Sequence, residues 1–396
     1  MPKFRVGVIG IGDISDVYIE NLGKYGIVEV IGCAGRDLRK AQEKASRHGL
    51  PKAYSDAAEL IADPDVDMVL NLTVPAVHAE LNLAAIVAGK HVYTEKPLAA
   101  TLTEARPIIE LAAAKGLRVG SAPDTFLGGR LQTCRKLIDE GRIGTIVGAG
   151  AFVVSHGHEW HHPNPEFFYK PGGGPLLDIG PYYMTALLSL LGPIVRCGGM
   201  AKKTFCQRTI ETQERFGQNI EVEVDTHVTG LLEFESGAIA TIIASFDVWD
   251  SELPRIEIYG TEGTICIGDI DPLDGPNLFG GEVLLRTRET ARWKGLPRQL
   301  VSNEWERVPV VHRFNESSHR ENSRGIGLVD MAYAIVQGRE ERAGGKMAFH
   351  SLEVMEAILE SARDGNFHRI ESRFGRPAPL PADFPDSEAI PCPVRF

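Results

Sequence analysis

The stretch Phe4-Arg5-Val6-Gly7-Val8-Ile9-Gly10-Ile11-Gly12-Asp13-Ile14-Ser15 decides the fold. Phe4 to Ile9 is a short apolar run rich in β-branched residues, the pattern of a strand buried on both faces. The glycines follow at once, and a helical pattern runs from about Ser15 to Lys24. Read as G-x-G-x-x-S, the motif puts Gly10, Gly12, Asp13 and Ile14 at a tight strand-to-helix turn, where backbone N–H groups can meet a pyrophosphate. Ser15 stands where the fingerprint has a third Gly or Ala, and it is small enough for close packing. A glycine turn without a ligand is the plainer alternative. The position directly after a buried strand and at the opening of a helix favours dinucleotide binding.

Working outward, strand and helix patterns alternate: a strand at Val28–Ala34, a helix at Leu38–His48, a helix at Ala57–Ile61, a strand at Met68–Leu72, a helix at His78–Ala88, a strand at Lys90–Tyr93, a helix at Leu102–Lys115 and a strand at Leu117–Ser121. Such alternation with short connections implies a parallel, doubly wound sheet, placed at residues 1–122. After Pro123 the pattern changes. A helix at Leu131–Glu140 leads to a long strand at Ile143–Ser155, then to a loop of His, Pro and Gly and a helical run at Leu176–Leu191. Strands are expected at Arg196–Phe205, Val222–Phe234, Ala238–Val248, Arg255–Tyr259 and Thr264–Gly268, with hairpin turns at Glu235-Ser236-Gly237 and Thr261-Glu262-Gly263. Residues 123–396 therefore form a second α/β domain with an antiparallel or mixed sheet. Helices at Leu328–Gln337 and Ser351–Arg363 are expected to cover one face of it, and the Pro-rich tail from Pro377 to Pro393 to run extended over the surface.

The composition of the 396 residues, 43% hydrophobic and 24% charged, is that of a globular protein. A net charge of −11 argues against binding nucleic-acid backbones. The six cysteines (Cys33, Cys134, Cys197, Cys206, Cys266 and Cys392) show no C-x-x-C spacing and read as reduced, mostly buried thiols. No apolar run is long enough to span a bilayer, and the chain enters a strand directly after Met1-Pro2-Lys3, so a cytoplasmic location is expected.

The end of the second strand, Ala34-Gly35-Arg36-Asp37, bears on cofactor choice. With Gly35 at the selecting position no carboxylate opposes a 2′-phosphate, and Arg36 can stack on adenine or pair with the phosphate, which tilts the reading toward NADP over NAD. Asp37 reads as a helix N-cap. At Tyr93-Thr94-Glu95-Lys96-Pro97, an ammonium group follows the fourth apolar strand, where it can hold a substrate oxygen, and Lys96–Pro97 is a candidate cis bond. A surface-loop lysine is the alternative.

Taken together, GIGDIS, the strand ending NLTVPAVH, the EKP tripeptide and the later GGGPLLDIGPYY resemble the Gfo/Idh/MocA family of sugar and cyclitol oxidoreductases. The resemblance covers nearly the whole chain. It implies a Rossmann domain followed by a predominantly antiparallel α/β domain whose open sheet face commonly mediates homo-oligomers, dimers or tetramers. It also implies that Lys96 lies near nicotinamide and substrate, with Glu95 beside it, and that Thr73, Pro75 and His78 lie beside the cofactor, although Pro75 falls one place later than usual. His78 has a purely structural alternative. The family's D-x-G-x-H is here Asp178-Ile179-Gly180-Pro181-Tyr182, so Tyr182 occupies the histidine position, as in the branch with glucose–fructose oxidoreductase and dimeric dihydrodiol dehydrogenase. The implied roles are proton transfer by Tyr182 assisted by Lys96, with Asp178 orienting substrate or holding Lys96. Asp178 and Tyr182 share a face if one helix begins before Asp178, and Pro181 weighs against that.

The loop His156-Gly157-His158-Glu159-Trp160-His161-His162 has ligand types without ligand spacing, so no metal site is expected. It reads instead as a sugar-binding wall, with Trp160 stacking and Glu159 and His161 meeting hydroxyls. The expected activity is hydride transfer between NADP or NAD and a secondary alcohol or ketone of a sugar, cyclitol or glycoside. Redox-assisted glycoside hydrolysis and a dinucleotide-binding sensor are the alternatives.

Overall fold

The computed structural model describes residues 3–268, 278–290, 293–294, 299–300, 304–316, 318 and 321–388, with backbone alone at 293–294 and 299–300. The chain forms two compact units, one of residues 1–129, 312–349 and 377–396, the other of residues 130–311 and 350–376.

The first unit opens with β1 (Phe4–Ile9), α1 (Asp13–Leu22), β2 (Val28–Ala34), α2 (Leu38–His48), β3 (Lys52–Tyr54), α3 (Ala57–Ala62), β4 (Met68–Asn71), α4 (His78–Val87), β5 (His91–Thr94), α5 (Leu102–Lys115) and β6 (Val119–Ser121). Its strands pair in the parallel order β3-β2-β1-β4-β5-β6, so the order reverses between β1 and β4, the switch point at which open α/β sheets bind ligands. β1, β2, α2 and α5 stand where the pattern predicts them. The three-residue edge strand β3 escapes sequence reading because it is too short to show alternation.

The second unit contains α6 (Gly129–Asp139, from Arg130 onward), β7 (Ile146–Val154), α7 (Pro175–Asp178), α8 (Gly180–Leu191), β8 (Ile194–Lys202), β9 (Gln207–Thr209), β10 (Asn219–Glu221), β11 (His227–Phe234), β12 (Ile239–Ser245), β13 (Ile256–Gly260), β14 (Gly263–Ile267), β15 (Val283–Thr287), β16 (Trp293–Lys294), β17 (Gln299–Leu300) and β18 (Glu306–Val308). Next in the chain come α9 (Ile326–Gln337) in the first unit, α10 (Gly345–Asp364), which belongs to the second unit from His350 onward, and β19 (His368–Arg369). The large sheet has the order β18-β15-β14-β13-β7-β12-β11-β8-β19 and is antiparallel except for β7 with β12. Ile358 of α10 packs where Gly199 and Gly230 leave room, so α10 covers one face of β8 and β11.

Three expectations change. The strand expected at Val222–Phe234 begins only at His227, because Ile220 and Val222 pack with Phe168, Tyr169, Ile210 and Phe246 in a separate small core. The helix expected at Leu176–Leu191 breaks at Ile179, since Pro181 lacks an N–H and belongs in a first turn. Asp178 and Tyr182 therefore sit on successive helices rather than on one. Finally, α9 packs on β6 and α1, so it serves the first unit rather than the second sheet, and a split of the chain at 122/123 does not follow the compact units. Periodicity reveals an apolar face but not which sheet it covers.

Buried polar groups explain this return of the chain. Asn21 Nδ2 donates to the carbonyls of Asn322 (2.7 Å) and Arg324 (3.0 Å). Asp124, 1% exposed, accepts from the N–H groups of Gly325 and Gly327, both at 2.9 Å, and so caps α9 from a distant part of the chain. Arg342 bonds Asp330 and the carbonyls of Ala378 and Pro379, which ties down the tail. The expected tail beyond 388, with Cys392, lies outside the described residues. Of the cysteines described, Cys206 is exposed and Cys33, Cys134, Cys197 and Cys266 are buried. No helix among the described residues is long and apolar enough to cross a membrane.

Burial pushes the Asp124 carboxyl up to about 6, against the pull of the two N–H groups and Arg324. A folded-state pKa above the unfolded value means that its contribution is fullest below about pH 4 and is lost as pH rises through about 6. Asp124→Asn keeps an oxygen acceptor and removes the titration. It should gain on the order of 2–3 kcal/mol over the parent between pH 4 and pH 7, read from urea unfolding at both values. An unchanged difference would show that the carboxyl titrates normally.

Candidate active site

In the first unit, the turn after β1 is built for close approach. Gly10 has φ +99°, and a Cβ there would stand 2.6 Å from the Leu72 carbonyl oxygen, so only glycine fits. Gly12 is the N-cap of α1 with no side-chain cap, and nothing lies within 4 Å of where its Cβ would stand. The N–H groups of the first turn, Asp13 and Ile14 among them, thus have no side-chain cap at the positive end of a helix, and these residues fit a pyrophosphate. Ser15 is buried, and its hydroxyl donates to the Gly12 carbonyl at 2.6 Å, closing the turn. At the end of β2, a Cβ on Gly35 would meet the Ile11 side chain at 2.5 Å, and Arg36 is exposed. Asp37 caps α2 through Arg39 and Lys40, the ordinary role expected of it.

The turns after β4 and β5 are fastened to each other. His78 is fully buried, with Nδ1 2.7 Å from the Pro97 carbonyl and Nε2 2.9 Å from the Thr73 carbonyl. A neutral ring donates to one of these at a time. This gives His78 the structural role of a clasp. Thr73 donates to Asn71 Oδ1 through Oγ1 (2.6 Å), Asn71 to Asn82 (2.9 Å) and Asn82 to the Leu98 carbonyl (3.2 Å). Pro75 is exposed at the start of a short 3-10 turn. The Lys96–Pro97 bond is cis. Glu95 accepts from Tyr18 Oη (2.9 Å) and from the Lys96 N–H (2.8 Å), and Arg324 lies 3.5 Å away. Burial and then Glu95 hold the Tyr18 phenol well above its usual range, so it is a neutral donor. Sequence reading misses Tyr18, Asn82, Asp124 and Arg324.

In the second unit, Asp178 ends α7 and Tyr182, 4% exposed, lies in the first turn of α8. His158 Nε2 lies 3.5 Å from Asp178 Oδ2. Trp160 is half exposed, donates to the Gly157 carbonyl at 3.1 Å and packs against His161, with ring centroids 4.3 Å apart. Burial, then His158 and His162, pull His161 down to about 4, so its ring is neutral. Glu159 differs from expectation. It is 4% exposed, with one oxygen on Arg208 (2.7 Å) and the other on Tyr169 Oη. Arg208 also pairs with Asp247 at 2.6 Å, which accepts from Thr226. Glu159 therefore anchors the loop, with both of its oxygens engaged inside the unit. Among the described residues, no group of three or more His, Cys, Asp and Glu side chains could hold a metal ion.

An uncapped glycine turn at the switch point of a doubly wound sheet, followed by a unit with a large mixed sheet, has the architecture of a dinucleotide-binding protein. Residues 4–122 match the model of the oxidoreductase family with NAD-binding Rossmann fold, and residues 131–266 match the GFO/IDH/MocA C-terminal domain. The 1,5-anhydro-D-fructose reductase of Ensifer adhaerens is 30% identical over 272 residues, 66% of this chain and 74% of that protein. The trans-1,2-dihydrobenzene-1,2-diol dehydrogenase of Bos taurus is 27% identical over 274 residues, 69% of this chain and 76% of that one. Among solved structures, an NAD binding oxidoreductase from Klebsiella pneumoniae shares the fold, with a TM-score of 0.77 at 21% identity over 93% of this chain and 99% of the other. The chain belongs to the Gfo/Idh/MocA family of oxidoreductases.

Removing one member of a buried ion pair leaves its partner's charge uncompensated. Arg208→Leu strands Glu159 and Asp247 and should lower stability by about 3–5 kcal/mol, measured by denaturant unfolding. A loss below about 1 kcal/mol, the size of a surface pair, would show that Glu159 is not anchored this way.

Proposed function

We propose that the protein is an NAD(P)-dependent dehydrogenase or reductase acting on a secondary alcohol or ketone of a sugar, cyclitol or glycoside. The observation that carries this reading is the uncapped N-terminus of α1 beside Gly10, with Lys96 fixed through Glu95 at the end of a neighbouring turn. When bound, the nicotinamide accepts or supplies the hydride. The N–H groups at Gly12, Asp13 and Ile14 receive the pyrophosphate, and Thr73 and Pro75 border the cofactor. Lys96 holds the substrate oxygen with its ammonium group, and Tyr182 moves the proton, donating it to a forming alkoxide. Asp178 orients a substrate hydroxyl, while Trp160 and His161 offer ring faces and edges to the sugar. The polyhydroxylated rings in the relatives' names support this substrate class.

NADP is the favoured cofactor. Gly35 presents no carboxylate, Asp37 is occupied as a cap, and the exposed Arg36 guanidinium suits a 2′-phosphate. Incubation with either dinucleotide and a panel of cyclitols, aldoses and glycosides, read by reduced-nicotinamide absorbance, tests both proposals. Lys96→Ala and Tyr182→Phe should each lower kcat by about 100-fold or more. Arg36→Ala should lower the NADP-to-NAD preference by about tenfold. Release of an aglycone without reduced cofactor would favour redox-assisted hydrolysis, and dinucleotide binding without chemistry on any substrate would favour a sensor.

We further propose a homo-oligomer formed through the sheet face opposite α10. Met200 (80% exposed), Ile239 (63%) and Leu231 (44%) lie on that face by register, with Phe367 (59%) over Gly198. A Met200→Glu/Leu231→Glu double variant should run as a monomer in analytical ultracentrifugation, where the parent is a dimer or tetramer. A monomeric parent would sink the proposal.

A further inference from the structure

We propose that His158 is a positioning residue for the reaction, holding the Asp178 carboxylate through its Nε2. This rests on the catalytic-site reading of Asp178 given above. Three observations carry it. The first is place: Nε2 is buried, has no hydrogen-bond partner among the described residues, and stands 3.5 Å from Asp178 Oδ2. A buried polar atom left without a partner costs about 1–3 kcal/mol. Catalytic hydrogen bonds are commonly long before substrate arrives and tighten in the complex, and here a shift of about 0.5 Å brings the pair to ordinary bonding distance.

The second is rigidity. The imidazole lies against Phe168 (centroids 4.0 Å apart, planes 28°) and is met edge-on by Phe246 at 4.9 Å. Its chain neighbours allow no drift. Gly157 has φ +88°, and a Cβ there would stand 2.3 Å from Glu159 Oε2 and 2.4 Å from Tyr169 Oη. Glu159 on the other side is locked to Arg208 and Tyr169. The loop is thus anchored by a buried ion pair immediately beside His158, and the ring that it presents to Asp178 is fixed on both faces of the chain.

The third is chemistry. With Tyr at 182, the Asp178–Tyr182 motif contains no imidazole of its own. A ring N–H given to one carboxylate oxygen fixes the plane of the carboxylate, which is how a third group orients the working pair in other enzymes. The groups that face His158 are Asp178 from α7, Glu159, His161 and His162 from its own loop, and Tyr169 beyond it, and the aromatic rings of Phe168 and Phe246 are uncharged.

The test is a double-mutant cycle on the full chain. His158→Phe preserves the stack and removes Nε2, His158→Gln retains a donor, and Asp178→Asn removes the carboxylate. Each is assayed for substrate kcat/KM and dinucleotide Kd. We expect His158→Phe to lower kcat/KM by roughly 10-fold or more with dinucleotide Kd within about twofold of the parent, His158→Gln to recover most of the loss, and His158→Phe to cost nothing further once Asp178 is Asn. The inference is overturned if His158→Phe matches the parent, if His158→Gln is as damaged as His158→Phe, or if the two losses multiply. Asp178→Asn with parental kcat/KM would instead overturn the functional reading of Asp178, and this inference with it. A damaging Asp178→Asn beside an indifferent His158→Phe sinks this inference alone.

Discussion

The uncapped end of α1 is the constraint around which the first unit is arranged. With Gly12 as N-cap and no side-chain cap on the helix end, the leading N–H groups need a partner from outside the helix. Keeping that end open brings the backbone at Gly10 against the carbonyl of Leu72, which a positive φ and a missing side chain allow. Leu72 begins the next turn, and from there the fastening continues. His78 joins the carbonyls of Thr73 and Pro97, while Asn71 and Asn82 pass a second chain of hydrogen bonds to Leu98. The turns after β1, β4 and β5 are therefore one connected object.

Sequence reading succeeds where the deciding forces are local. α2 and α5 begin at Asp37 and Thr101, which cap their own helices, and end at Gly49 and Gly116 in the left-handed conformation, so their limits are written in adjacent residues. The glycine turn and the tripeptide with Lys96 are legible for the same reason. The supports of the site are not. Tyr18 reaches Glu95 across 77 residues, and Asp124 reaches Gly325 across 201. Nothing in the immediate neighbourhood of Tyr18 or Asp124 distinguishes it from an ordinary core or loop residue. The same blindness assigns α9 to the wrong sheet, because an apolar helix face is complementary to any apolar surface.

The second unit shows why a crowded polar loop misleads. Glu159 has the residue type of a sugar ligand and sits among histidines, but its carboxylate is consumed 49 residues away by Arg208. A buried ion pair repays its desolvation only when geometry is good and further hydrogen bonds satisfy its groups; here Tyr169 donates to Glu159, Arg208 donates also to Asp247, and Thr226 donates to Asp247. Such a network has one arrangement. Its consequence is positional: the residues flanking Glu159 inherit a fixed place, so the loop presents its imidazole and indole rings from a rigid base although it has no regular secondary structure of its own.

The two units thus bury carboxylates in different ways. Glu159 is in a direct ion pair with Arg208, whereas Asp124 accepts from two N–H groups at the start of α9, with the Arg324 charge acting on it as well. The two N–H groups and Arg324 only partly offset the burial of Asp124, whose carboxyl rises to about 6. Asp124 is also the group that caps the returning helix, and its neighbour in that segment is Arg324, which lies against Glu95. The late segment of the chain is held to the first unit by a carboxyl that gains or loses a proton near neutral pH, and through Arg324 and Glu95 that hold extends to the backbone of Lys96.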